Sequence, residues 1–284
     1  MIELRRTAIR LATRHRLSWR YRYARLALED GRDFIRRRQD AGIPPKRLQH
    51  FVGDGDFRAI GEEFLGLARE LGGLASDDHV LDIGSGFGRM ALPLTRYLSA
   101  RGSYDGLEIM PNAVRWCKRN ITSSHPSSRF HHVDVYNRLY NPKGRLPEET
   151  FVFPFDANAF DFTLLMSVFT HMLPPTVKHY LAEIARVLRP GGTVLATAFL
   201  LDPISRAAIE AGSGTFRFTH QLTDQGVMTN NLAIPEAAIA YPVGYLEQLV
   251  ESSGLTFSRP VHPGTWSGRP DGRSTQDIVI LKAR

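Results

Sequence analysis

The sequence predicts an α/β protein built on a doubly wound, mostly parallel seven-stranded sheet with helices on both faces. Three observations carry that reading. From residue 79 onward, short β-type apolar runs alternate with segments of helical period. A glycine-rich turn, GSGFG at 84–88, joins the first of those runs to the segment after it. The last two apolar runs, LTFSRPV and QDIVILKA, have no helix between them, so the final strand is expected to return antiparallel.

Taken in order, the chain opens with a basic, mainly helical arm over residues 1–55, ahead of a main domain over 56–284. Residues 1–50 carry 14 Lys/Arg against 5 Asp/Glu, while the rest carry 22 against 24, so the formal charge of +7 belongs to the arm. Such asymmetry suits contact with nucleic acid or an anionic membrane surface. AGIPPKRL breaks the arm; Ile60, Phe64, Leu67, Ala68 and Leu71 then share one helical face, and Gly72-Gly73 ends that helix. HVLDI is a short buried strand, 88–100 a helix, and YDGLE a second strand followed by a helix opening at Pro111. RFHHVDV reads as a third strand and 136–158 as irregular chain with Pro142, Gly144, Pro147 and Pro154. FDFTLLMSV is the fourth strand; Val177, Tyr180, Leu181, Ile184, Val187 and Leu188 form a helical stripe stopped by RPGG; TVLATAFLL is the fifth. An insertion at about 203–240 reads as irregular and precedes a helix over 243–252 and the closing strand pair.

Composition bounds the function. With 284 residues and 43% hydrophobic content the chain buries a full core. Its single cysteine, Cys117, excludes a disulfide framework and a cysteine-rich metal site. No apolar run approaches the ~18 residues that span a bilayer, and arginines interrupt the N-terminus where a secretion signal would be apolar. A cytoplasmic address is the expectation, with the arm available for peripheral contact.

A glycine-rich turn from strand to helix lets a ligand approach bare backbone near the positive end of a helix. Dinucleotide-binding and methyl-transferring enzymes both use such a turn. The spacing here is G-x-G-x-G through Gly84, Gly86 and Gly88, whereas the dinucleotide fingerprint places its third glycine one position later, at Arg89. Glu108, at the end of the second strand, suits a ribose diol under either reading.

These residues resemble the class I S-adenosylmethionine-dependent methyltransferases. VLDIGSGFG is similar to that family's first motif and GLEIMPNAV to its second-strand acidic motif. HHVDV, FPFDANAFDFTLLMSVFTHM and IARVLRPGGTVLAT resemble the adenine-contacting segment, the fourth strand and the turn into the fifth. The resemblance spans residues 80–198 and implies S-adenosyl-L-methionine as cofactor. It also implies roles for individual residues. Gly84, Ser85, Gly86 and Gly88 would pass close to the methionine part, with Asp82 orienting the loop. Glu108 would accept both ribose hydroxyls and Ile109 would pack on the adenine face. Asp134 would take the adenine amino group, beside a backbone N–H from Val135, and Ser167 would offer a further cofactor contact. Asp134 also has a plainer reading as a turn residue.

The sulfonium supplies most of the drive for methyl transfer, so the protein mainly positions the nucleophile and helps remove its proton. His171, just past the fourth strand, is the candidate base, though it also reads as a residue packed under the next helix. No Asn/Asp-Pro-Pro-aromatic motif and no metal-binding Asp-Asn pair follows the fourth strand, and Cys117 lies away from the active edge, so no metal is expected. Acceptor contacts are expected from Phe57 as a lid residue, Thr170, and Trp266 with Arg269 and Arg273 in the last hairpin loop; Trp266 reads equally as a packing anchor. The expected reaction is O-methylation of a small polar acceptor such as a sugar, glycolipid intermediate or natural product. The alternatives are an RNA or protein methyltransferase that uses the basic arm, or a non-catalytic S-adenosylmethionine-binding protein.

Overall fold

The computed structural model describes residues 22–33, 42–53 and 55–284. The arm's residues 1–21 and 34–41 lie outside the described residues; within it, 22–33 are helical (α1) and Lys46–Gln49 form a short helix (α2). The remaining helices are α3 (Phe57–Gly72), α4 (Ala91–Tyr97), α5 (Pro111–Cys117), α6 (Pro174–Val187), α7 (Pro203–Ala211) and α8 (Val243–Glu251). The strands are β1 (His79–Ile83), β2 (Ser103–Glu108), β3 (Ser128–His132), β4 (Phe160–Leu165), β5 (Leu188–Leu201), β6 (His220–Gln221), β7 (Met228–Thr229), β8 (Ile239–Pro242), β9 (Leu255–Phe257) and β10 (Asp277–Ala283).

Strands β3, β2, β1, β4 and β5 lie side by side and parallel. β10 runs antiparallel to β5 and β9 antiparallel to β10, so β9 points the same way as β5. That is the predicted mostly parallel sheet with a reversed last strand. It follows from the direct pairing of β9 with β10, since no α-helix lies between them to carry the chain back across a sheet face for a parallel pairing.

The sheet is wider than expected, and the insertion is not irregular. It holds α7, capped reciprocally by Asp202 and Ser205, and supplies β6, β7 and β8. β5 is long enough to serve two neighbours. Residues 193–196 pair with β4, and Phe199, Leu200 and Leu201 continue past its end to pair with β8. The run Ile239–Tyr241 is fully buried there, but four residues are too few to announce a strand in sequence.

Helices cover both faces. α3 begins at Asp56, whose carboxylate accepts the Ala59 N–H, and ends at left-handed Gly73. It lays Leu65, Leu67 and Ala68 with Leu94 and Val114 against Phe162 and Leu195 on one face. On the other face Val177, Leu181 and Ile184 of α6 and Leu246 and Val250 of α8 pack with Leu81, Val194 and Val279. Both clusters are apolar, and their burial on either side of the sheet leaves the strand ends free to form a site. No helix among the described residues is long and apolar enough to cross a membrane.

Candidate active site

The glycine loop leaves β1 with all three glycines in the left-handed region, φ 74° at Gly84, 53° at Gly86 and 80° at Gly88. A side chain there would be strained as well as crowded. A Cβ on Gly84 would stand 2.7 Å from the Val168 methyl, and one on Gly86 would stand 2.5 Å from that of Val52. The loop is therefore bare backbone held close between two walls.

Glu108 locks it from the end of β2. Its Oε2 accepts the Gly86 N–H and its Oε1 the Met110 N–H, each at 2.7 Å. Burial raises the carboxyl's pKa, while those backbone donors favour its charged form. Each oxygen retains accepting capacity beyond the bond it already makes. Asp82 is tied differently from the expected loop contact. It accepts the Tyr104 hydroxyl at 2.6 Å, and burial pushes its pKa up to about 7.

Above these residues lies a cavity of about 440 Å³, within the range of small-molecule sites. Gly84, Ser85, Gly86, Glu108 and Ile109 line one end. Ser167, Thr170, His171, Phe199, Phe216 and Gln276 line it over the strands on the other side of β1. Ser167 adopts φ 58°, held by its N–H donating to the Thr197 hydroxyl at 2.7 Å. Among the described residues the buried Thr170 and Ser85 hydroxyls meet no hydrogen-bond partner.

His171 has a defined tautomer. Its Nδ1 lies 2.8 Å from the Glu236 carbonyl oxygen, which can only accept, so Nδ1 carries the proton and Nε2 the lone pair. The Tyr140 ring meets the imidazole edge-on at 5.6 Å between centroids. Burial lowers the pKa of His171 from its ordinary value and keeps the ring neutral.

Seven expected site residues are placed elsewhere, among them Gly88, which faces Ile121 and Cys117 and does not line the cavity. Asp134 pairs with Arg145 at 2.6 Å and, with Val135, does not line the cavity; Val133 and Asn137 do. β3 ends at His132, and side-chain alternation turns Val133 inward and Asp134 out. Phe57 is buried in the first turn of α3 against Phe87 and Met110, so the wall is formed instead by His50, Phe51 and Val52. Trp266 is fully buried among Phe199, Phe216 and Phe218, its indole N–H donating to Asp277 at 2.7 Å. Arg269 pairs with Asp202 in a separate cleft, and Arg273 pairs with Glu70 at 2.6 Å. The last hairpin loop thus anchors the insertion and does not present its aromatic ring to a substrate.

The lining residues that the sequence reading does not assign to the site include Arg89, Phe216 and Gln276. Arg89 follows the glycines and reaches the cavity with its Nε buried and unpartnered, its guanidinium 5.2 Å from the Phe57 ring centre. Its position just after G-x-G-x-G was the available signal. Phe216 and Gln276 gave none, since one lies in the insertion and the other at the polar start of a strand. Among the described residues no group of His, Cys, Asp and Glu converges as metal ligands would.

A Rossmann-like sheet with a glycine cradle at β1 and a buried carboxylate at β2 defines a protein that binds a nucleoside cofactor across its strand ends. Residues 80–192 match a family model described as a methyltransferase domain. The chain carries a methyltransferase domain over residues 80–192, on a class I Rossmann-like sheet, and S-adenosylmethionine is its cofactor. Solved structures share the fold at low identity. The PH0226 protein of Pyrococcus horikoshii OT3 is 13% identical with a TM-score of 0.55, covering 82% of this chain and 93% of its own. A candidate sarcosine dimethylglycine methyltransferase from Galdieria sulphuraria is 16% identical with a TM-score of 0.52, over 79% and 85% of the two chains. The [4+2]-cyclase SpnF is 17% identical with a TM-score of 0.50, over 81% and 84%.

Proposed function

We propose that this enzyme O-methylates a small hydroxyl-bearing acceptor, with His171 as general base. The observation that carries the proposal is the His171–Glu236 bond, which leaves a neutral imidazole with its Nε2 lone pair and no hydrogen-bond partner for that atom among the described residues. A base needs that protonation state and an open nitrogen within reach of the acceptor.

The cradle fits the cofactor. Bare glycine backbone, the orphaned Ser85 hydroxyl and the spare accepting capacity of Glu108 suit a polar nucleoside. Glu108 would hold the ribose, Ile109 the adenine face, and Arg89 the terminal carboxylate, the last because its guanidinium meets the Gly53 carbonyl at 3.2 Å but leaves its buried Nε without a partner and has no carboxylate beside it among the described residues. When bound, the cofactor supplies a methyl group activated by its sulfonium. The protein's part is to exclude water, align the hydroxyl and accept its proton at His171 Nε2. Of the three acceptor types expected, a natural-product-like hydroxyl compound fits best, because Phe51, Phe64, Met166, Phe199 and Phe216 give the cavity a largely apolar wall that a sugar would not fill favourably.

Labelled methyl transfer into a host lysate, sorted by chemical fraction, tests the substrate class, and His171→Ala tests the base. The expected result is label in an organic-soluble or small polar fraction. The variant is expected to keep its S-adenosylhomocysteine affinity while turnover falls by about 100-fold or more. Label in RNA or protein, or undiminished turnover, refutes the corresponding part. The charge asymmetry of the arm supports a separate proposal, peripheral binding to anionic lipid. Liposome pelleting with and without residues 1–21 tests it, and equal pelleting rejects it.

A further inference from the structure

Gln276 immediately precedes β10, beside β5, and lines the cavity on the side of β1 away from β2 and β3. The cofactor cradle lies over β1 and β2, so the space before Gln276 belongs to the acceptor. What the carboxamide presents there follows from its neighbours.

The hydroxyl of Thr197 accepts the Ser167 backbone N–H at 2.7 Å. Its own proton must therefore go elsewhere, and the Gln276 side-chain oxygen lies 2.6 Å away. The Ser167 hydroxyl approaches the same oxygen at 3.1 Å. Two hydroxyl donors converging on one atom identify it as the carbonyl oxygen and fix the orientation of the amide. The Nε2 group of this cavity-lining side chain then lies opposite those hydroxyls, with two N–H donors that make no hydrogen bond among the described residues. Ser167 keeps its left-handed conformation, φ 58°, within this same network. A non-glycine residue rarely holds that conformation without support from its surroundings. Thr197 is fully buried and anchors the inner end of this network.

Phe199 and Phe216, 4.6 Å apart between ring centres, line the cavity as well. Aromatic faces favour a planar apolar body, and the amide favours an oxygen that accepts. Resting on the O-methylation reading, we propose that Gln276 is a specificity-determining residue. It selects a planar hydroxylated acceptor that carries a second, hydrogen-bond-accepting oxygen such as a ring-conjugated carbonyl.

The test uses full-length protein saturated with S-adenosylhomocysteine and two probes of similar shape, 4-hydroxyacetophenone and 4-ethylphenol, which differ in the carbonyl. Calorimetry is expected to show the ketone binding about tenfold or more tightly. Gln276→Glu keeps an acceptor for Thr197 and Ser167 but replaces the amide donors with an accepting oxygen. It is expected to abolish the preference while S-adenosylhomocysteine affinity stays within about twofold. Thr197→Val frees the amide to rotate and is expected to erode the preference partially. Absence of a preference in the wild type, or its survival in Gln276→Glu, overturns the inference. Failure of the wild type to bind S-adenosylhomocysteine would instead strike the cofactor reading beneath it.

Discussion

Glu108→Gln separates the structural from the ligand-binding work of one side chain. In the wild type both carboxylate oxygens accept backbone N–H groups, from Gly86 and Met110, at 2.7 Å in a fully buried setting. A carboxamide accepts through one oxygen only, so whichever way it turns, one of those N–H groups faces another donor. Leaving a buried donor unsatisfied costs about 1–3 kcal/mol. In a chain of this size each kcal/mol lowers Tm by about 2–4 °C. Scanning fluorimetry of the ligand-free protein is therefore expected to show a fall of about 2–12 °C. The amide also forfeits at least one charge-assisted bond to a ribose hydroxyl, about 1.5–3 kcal/mol, or about 10- to 150-fold in S-adenosylhomocysteine affinity by calorimetry. A fall in Tm with affinity unchanged would remove Glu108 from the cofactor. Unchanged Tm would refute its role as the lock on the glycine loop.

Four further outcomes follow from the same geometry. Arg89→Lys is expected to weaken S-adenosylhomocysteine by about tenfold or more yet leave 5′-methylthioadenosine, which lacks the carboxylate, unaffected; equal losses would refute the carboxylate contact. Because burial holds the His171 pKa below its ordinary value, the neutral base persists as pH falls, so the acidic limb of kcat/KM is expected below pH ~6.5 and a limb above it would count against the assignment. Trp266→Phe deprives Asp277 of a donor; burial already raises that carboxyl to about 6. A raised acid is protonated in the fold at lower pH, so stability decreases as pH climbs through about 4–6, and the variant's loss of Tm should be larger at pH 8 than at pH 5. Asp30 accepts the Lys46 N–H at 2.6 Å and the Arg47 guanidinium at 2.8 Å, so Asp30→Asn is expected to speed amide exchange across residues 46–53, and unaltered exchange would show that the clasp does not hold that wall.

The strand–helix alternation and the glycine-and-carboxylate end of the cavity were legible because both are written in local pattern. G-x-G-x-G needs positive φ whatever surrounds it, and Glu108 sits at a strand end that the fold always brings to the crevice. The acceptor end was not legible, for reasons visible in particular residues. Trp266 reads the same in sequence whether its ring faces solvent, a ligand or Phe199; only the approach of the insertion decides. Phe57 and Phe51 are six positions apart in one basic-to-apolar stretch, yet the start of α3 buries the first and leaves the second on the wall. Asp134 missed by one residue, because the end of β3 set which side chains turn inward. Gln276 acquires its meaning from Ser167 and Thr197, residues 109 and 79 positions away.

The length of β5 divides the molecule's capacity for change. Its first half is clamped between β4 and β10, whereas its last three residues pair with β8 and pack on the insertion. The insertion brings Phe216 and Ala237 to the cavity and supplies the Glu236 carbonyl that sets the His171 tautomer. No glycine of the cradle and no donor to Glu108 comes from it. On the proposed function, drift in the insertion would retune which acceptor is taken and how its proton leaves without touching the glycine loop or Glu108. One strand, extended by a few residues, lets substrate choice evolve on a separate clock from the chemistry it serves.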